Sequence, residues 1–182
     1  VPASPSAGVS TTGVYQNFMK DNTDIKSITL PDTVEVIQQM AFSGCSSLTD
    51  FSAPVNLSTI GDYAFSKSGI SNVQFNNKLR TIGNSAFSNN SNLEIVEFPK
   101  TLNSIGMGAF SNCQNLKFVT IPASVKSIGE GAFLNCNKNI IIYGERRTAA
   151  EVYANNNDIT FIPSVERYFG DLDLDGVVSV KD

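Results

Sequence analysis

A chain of 182 residues, 41% hydrophobic and 16% charged, carries enough apolar content for one sizeable core and too little charge for a disordered polymer. A net charge of −4, with no run of lysine or arginine, makes nucleic acid a poor partner, and no apolar run approaches the ~20 residues of a membrane span. There is no histidine, which removes the usual general base and the commonest metal ligand.

The amino end, Val1-Pro2-Ala3-Ser4-Pro5 and onward to Gly13, is rich in small residues and carries no address of its own. It reads as a linker left after a leader or a truncation, and residues 1–24 together are assigned as an N-terminal linker and cap. Tyr15 to Ile25 is expected to cover whatever follows as a short helical or extended segment.

From Ile25 a period takes over. Alanine followed by phenylalanine recurs at Ala41-Phe42, Ala64-Phe65, Ala86-Phe87, Ala109-Phe110 and Ala132-Phe133, at spacings of 23, 22, 23 and 23 residues. A fixed period of this size is the signature of stacked structural repeats. The other positions keep step: one unit reads Leu93, Val96, Phe98-Pro99, Leu102, Ile105-Gly106, Ala109-Phe110, Cys113, and the next Leu116, Val119, Ile121-Pro122, Val125, Ile128-Gly129, Ala132-Phe133, Cys136. The first unit is degenerate, with Gln38 where its successors have glycine.

Each position implies a physical role. The L-x-x-V-x-F run alternates apolar and polar residues at its end, as a half-buried strand does. Proline after it cannot donate to a ladder and turns the chain. The glycine demands either a positive φ or close contact with the next coil. The phenylalanines of successive coils should form a continuous internal spine. About six apolar side chains per coil contribute roughly 9–18 kcal/mol, less than the ~1–2 kcal/mol per residue lost in ordering ~23 residues, so the coils need one another and the ends need caps. Five coils are expected over residues 25–144, with parallel strands near 26–30, 49–53, 71–75, 94–98 and 117–121 side by side in one sheet.

If the second and fourth strand residues point inward, the outer face carries Ser27 and Thr29, Asp50 and Ser52, Asn72 and Gln74, Ile95 and Glu97, Phe118 and Thr120. Most of this surface is small and polar. Ile95 and Phe118 are the exceptions and occupy one position in adjacent coils, so they should touch. Two readings stand: a partner footprint, or apolar groups covered by the terminal cap. Asn72, Gln74, Ile95, Glu97, Phe118 and Thr120 are the candidate ligand-binding residues. Glu94 and Glu97, three apart, are expected on opposite faces of one strand, so they make no catalytic carboxylate pair. No serine or cysteine sits in a nucleophile motif, and catalysis is not expected.

Cys45, Cys113 and Cys136 each lie three residues beyond their phenylalanine, a position that Asn90 fills in the third unit. They are either a disulfide or metal clip between Cys113 and Cys136 or one buried ladder position. Equivalent Cα atoms roughly 5 Å apart would allow a bridge, whereas parallel side-chain vectors and the low polarity of a buried thiol favour the ladder.

The pattern I-x-x-I-x-I-P…V-x-x-I-G-x-x-A-F-x-x-C-x-x-L resembles the leucine-rich repeats of the BspA-like class, across residues 25–143. That resemblance implies a curved solenoid, a β-rich (α+β) fold of ~23-residue coils, secretion to a bacterial surface, and adhesion or protein interaction with no catalytic residues. Residues 145–163, with Thr148 to Ala154 and then Ile159 to Pro163, are similar to the helix and strand that cap such arrays. A monomer is expected.

Residues 164–169 read as a linker. Beyond them, Asp171-Leu172-Asp173-Leu174-Asp175-Gly176-Val177-Val178-Ser179-Val180-Lys181-Asp182 fits a calcium loop. Asp171, Asp173, Asp175 and Asp182 would supply side-chain oxygens, Val177 a carbonyl, and Ser179 a direct or water-mediated ligand. Residues 170–182 resemble the first loop of a type I dockerin, the module that docks onto cohesins. The chain stops at position 12 of that loop, so calcium is expected to bind weakly or not at all, and cohesin to be a partner of a longer protein. The function expected is an extracellular interaction module, with a rigid spacer that displays a dockerin as the alternative.

Overall fold

A computed structural model describes residues 12–164 of the protein. They form a parallel β-solenoid of stacked coils, closed at its C-terminal end by one helix and a final strand. Each coil carries two strands where the sequence predicts one. The first ladder is made of two-residue strands: β1 (Gly13–Val14), β2 (Val36–Ile37), β4 (Thr59–Ile60), β6 (Thr81–Ile82), β8 (Ser104–Ile105) and β10 (Ser127–Ile128), all parallel and paired in that order. The second ladder holds the strands the alternation predicts: β3 (Asp50–Ser52), β5 (Asn72–Gln74), β7 (Ile95–Glu97), β9 (Phe118–Ile121), β11 (Ile141–Gly144) and β12 (Thr160–Pro163). A single bridge from Ser27 to Asp50 is what forms near residues 26–30.

The expected single sheet is interrupted. β3 pairs with β5, and β7, β9, β11 and β12 pair in turn, but no ladder joins β5 to β7. The cause lies in the one 22-residue step. Four residues, Cys45 to Leu48 or Asn90 to Leu93, form the turn before the strand in neighbouring coils; here Ser68-Gly69-Ile70 does the same with three. The shortened turn is drawn onto the preceding coil, where Gly69 N–H donates to Cys45 O at 3.2 Å and a Cβ on Gly69 would stand within 2.3 Å of Ser46 O. Drawn that way, the start of β5 leaves the following coil.

The core is a column of five phenylalanine rings. Phe42, Phe65, Phe87, Phe110 and Phe133 stack with centroids 5.1–5.6 Å apart and planes within 5–14° of parallel. Edge-on rings close both ends, Phe18 against Phe42 at 84° and Tyr153 against Phe133 at 78°. A second aromatic layer compensates volume within each coil. Phe51 fills the inward strand position beside the small Ala53, whereas Val73 and Val96 occupy that position beside Phe75 and Phe98, whose rings stack at 5.7 Å.

The backbone also repeats. Two residues before and two after each spine ring the chain enters the left-handed region, at Met40 and Gly44, Tyr63 and Lys67, Ser85 and Asn89, Gly108 and Asn112, Gly131 and Asn135. Asn17 and Asp21 repeat the pair around Met19, whose N–H donates to Ala41 O at 2.7 Å as Phe42 N–H does to Ala64 O at 2.8 Å. The segment read as a cap is therefore half of another coil with Met19 in the spine position. The glycines Gly61, Gly83, Gly106 and Gly129 serve close approach between coils, since a Cβ on Gly129 would stand 2.3 Å from Met107 N. In the first full coil Gln38 takes this place and its side-chain oxygen accepts the Gln16 N–H at 3.1 Å.

The helix α1 (Ala149–Asn156) buries Ala150, Tyr153 and Ala154 on the last coil. Its Tyr153 hydroxyl accepts the Phe133 N–H at 3.1 Å. In every earlier coil that amide donates to an alanine carbonyl of the coil above, so the tyrosine supplies the acceptor that a further coil would.

The position three beyond each ring is a second internal ladder. Cys45, Ser68, Asn90, Cys113 and Cys136 each donate to the carbonyl of the spine residue one coil below, at 3.1, 2.7, 2.8, 3.3 and 3.2 Å. The three cysteines are free thiols. Asn90 does more than a thiol can, because its Oδ1 also accepts the Ile70 N–H at 3.0 Å. That amide is the one the shortened turn leaves without a backbone acceptor. Asn90→Cys, which restores the residue common at this position, is therefore expected to destabilise the protein by about 1–3 kcal/mol in denaturant titration. An unchanged midpoint would mean that Asn90 is not what accommodates the short turn.

Candidate functional site

Strand alternation positions the outer face. Along β5, β7 and β9 the inward residues Val73, Val96 and Val119 meet the core, while Asn72, Gln74, Ile95, Glu97, Phe118 and Thr120 point to solvent. Parallel pairing sets Ile95 directly beside Phe118 and Glu97 beside Thr120. Ile95 is 53% exposed and Phe118 38%. The terminal helix does not cover them, since α1 packs on β10, β11 and β12. The row continues instead: Phe118 lies 6.3 Å from the Tyr143 ring, and Ile162, also exposed, is paired with Tyr143.

The gap between β5 and β7 opens on this same face as a groove of about 610 Å³. Asn72, Gln74, Ile95 and Glu97 line it, so four of the six residues predicted from alternation are brought together, with Phe118 and Thr120 on the next strand. The sequence reading missed Phe75, Asn92 and Glu94, which also line it. Glu94 corrects an expectation: it borders the same groove as Glu97 rather than the opposite face, because it precedes β7 and strand alternation does not govern it. The signal that could have found the groove was the single 22-residue spacing.

The electrostatics of the face are mildly acidic. Asn72 is held in place by donating to Asp50 Oδ1 at 2.9 Å, while the Thr49 hydroxyl donates to Asp50 Oδ2 at 2.6 Å. The Thr49 bond, then that from Asn72, holds the Asp50 carboxyl below the usual range. Lys117 pairs with Glu94 at 3.1 Å. Glu97 has no ion pair among the described residues.

Nothing in this arrangement is a catalytic constellation, and among the described residues no group of three or more His, Cys, Asp or Glu could hold a metal ion. The calcium-loop residues Asp171, Asp173, Asp175, Val177, Ser179 and Asp182 lie outside the described residues, as do residues 1–11.

The repeat and its architecture place the protein among the leucine-rich solenoids. Residues 13–140 match the BspA-type leucine-rich repeat region in six copies, and the chain belongs to that family. The sixth copy corresponds to the half-coil around Met19 that a search for Ala-Phe passes over. No curated protein matches the chain. Among solved structures it is similar to a leucine-rich repeat protein from Bacteroides ovatus, 25% identical over 74% of this chain and 37% of that one, with a TM-score of 0.64. A leucine rich cell surface protein from Faecalibacterium prausnitzii is 22% identical over 84% of this chain and 35% of that one, with a TM-score of 0.66. The pneumococcal vaccine antigen PcpA is 16% identical over 85% of this chain and 45% of that one, also at 0.66. The chain thus spans less than half the length of each of these structures.

The thiol ladder has a pH signature. Burial pushes Cys113 from 9.0 up to about 12, with neighbouring Cys136 adding to it. Burial likewise raises Cys45 and Cys136 to about 11. A thiol whose folded pKa exceeds its unfolded one contributes stability that is complete below the unfolded value near 9 and is lost as pH rises toward the folded value. The denaturation midpoint should therefore hold level from pH 6 to 8 and fall between about pH 9 and 11. Cys113→Ser, which keeps a donor toward Phe87 O, should make that fall shallower; the same slope in both proteins would refute the assignment.

Proposed function

We propose that the protein is an extracellular, monomeric interaction module of a bacterial surface protein that binds a protein partner through the outer face of β5, β7 and β9. The observation that carries this reading is the exposed Ile95 and Phe118 pair, continued by Tyr143 and flanked by the polar groove. Adjacent exposed apolar groups rimmed by polar ones are what interaction surfaces present. Family membership supports binding rather than catalysis, and the F. prausnitzii neighbour, described as a cell surface protein, supports a surface location. Among the described residues no helix is long and apolar enough to cross a membrane.

Capture from host and microbial surface extracts with the wild-type chain and with an Ile95→Ser, Phe118→Ser variant tests this. Proteins held by the wild type should be lost by the variant, and crosslinks should map to Asn72, Gln74, Glu97 and Thr120. Equal capture by both, or crosslinks on the Gly83 and Gly106 side, would leave the spacer reading standing.

We further propose that residues 171–182 bind calcium as a dockerin-type loop, the D-x-D-x-D-G spacing being the support. A single such loop should bind no tighter than about 10⁻⁴–10⁻³ M, and cohesin docking would require a second, paired loop. Calorimetry that returned micromolar affinity for this chain would overturn the proposal.

A further inference from the structure

At each regular step of the second ladder, two amides before the strand and one after it are bound to the neighbouring coil. Ser71 and Asn72 N–H donate to Thr49 O at 2.8 and 3.2 Å, and Lys117 and Phe118 N–H donate to Glu94 O at 2.9 and 3.3 Å. On the exit side Ala53 N–H donates to Gln74 O at 2.8 Å and Phe98 N–H to Thr120 O at 3.1 Å. The equivalent bonds between β5 and β7 would run from Glu94 and Ile95 N–H to Ser71 O, and from Phe75 N–H to Glu97 O. Among the described residues none of these forms.

The break is confined to the face. Behind it the ring column is continuous through Phe65, Phe87 and Phe110, Phe75 still stacks on Phe98, and β6 still pairs with β8. The result is a rigid slot whose two lips are parallel strand edges. An extended chain at ~4.8 Å strand spacing, ~10 Å sheet spacing and ~3.3 Å rise takes roughly 160 Å³ per residue, so 610 Å³ accommodates about four residues.

The side chains around the slot select further. Glu94 and Glu97 line it, no lysine or arginine does, and Lys117 answers Glu94 alone. On the β7 lip the carboxylate of Glu97 alternates with the apolar Ile95, which continues into Phe118.

We infer that the interrupted ladder between β5 and β7 is an acceptor slot for a short extended segment of the partner protein, held by main-chain hydrogen bonds and carrying a basic side chain toward Glu97 and an apolar one toward Ile95 and Phe118. This rests on the reading that the outer face binds protein, and adds how it does so. Strand addition of this kind takes affinity from backbone pairing and specificity from alternate side chains.

The test pans a phage library of random peptides about ten residues long on the full chain, then synthesises the best peptide unmodified and N-methylated at alternate residues in either register. The inference expects alternating basic and apolar residues, a loss of roughly tenfold or more on methylation in one register only, and slowed hydrogen exchange at Phe75, Glu94 and Ile95. Glu97→Lys should weaken the unmodified peptide by a similar factor. Selection of no peptide, or indifference to methylation in both registers, overturns the slot. Peptides that tolerate methylation yet are lost on Ile95→Ser, Phe118→Ser overturn strand pairing and leave the binding face intact, whereas peptides indifferent to every one of these changes overturn both.

Discussion

The stack of phenylalanine rings is the contact on which the rest of the solenoid depends. Rings 5.1–5.6 Å apart in near-parallel planes match, with a slight offset, the ~4.8 Å spacing of hydrogen-bonded strands. Aromatic packing and both ladders can therefore be satisfied by one coil-to-coil translation. Wherever the ring sits, the neighbouring positions acquire fixed duties: a left-handed residue two places to either side, a small alanine before it, and a donor three places after it that caps the carbonyl of the ring residue below.

That regularity explains how the ends are made. Phe18 and Tyr153 turn edge-on to the column and so close it without extending it, since a T-shaped contact offers no flat face for another ring. Tyr153 also brings a hydroxyl to the Phe133 amide. The two termini of the stack thus solve one problem by one geometry from unrelated sequences.

Much of this was legible in the residues. The Ala-Phe period implied the coils and the spine, and alternation alone placed Asn72, Gln74, Ile95 and Glu97 on the surface that proves to border a groove. The two-residue strands were hidden because Thr81-Ile82 and Ser104-Ile105 are too short to show a period of two. The additional coil was hidden because Phe18-Met19 stands where Ala-Phe stands elsewhere. The break between β5 and β7 depends on a single missing residue near Gly69, whose effect is tertiary: it matters only because the turn must reach Cys45 below it. Asn90 was legible as an exchange for cysteine but not as the side chain that repairs the amide left by that turn.

The in-register stacking has a mechanical consequence. Each coil touches little beyond its two neighbours, so a load applied between the ends is borne by the terminal contacts first and the solenoid yields one coil at a time. A released coil of 22 or 23 residues adds up to about 80 Å of slack at ~3.3–3.6 Å per residue, after which the remaining column presents the same kind of end as before. Under shear such a chain is an extensible tether that lengthens in even steps, and the parallel rings are what would let a slack coil find its register again when the load is removed.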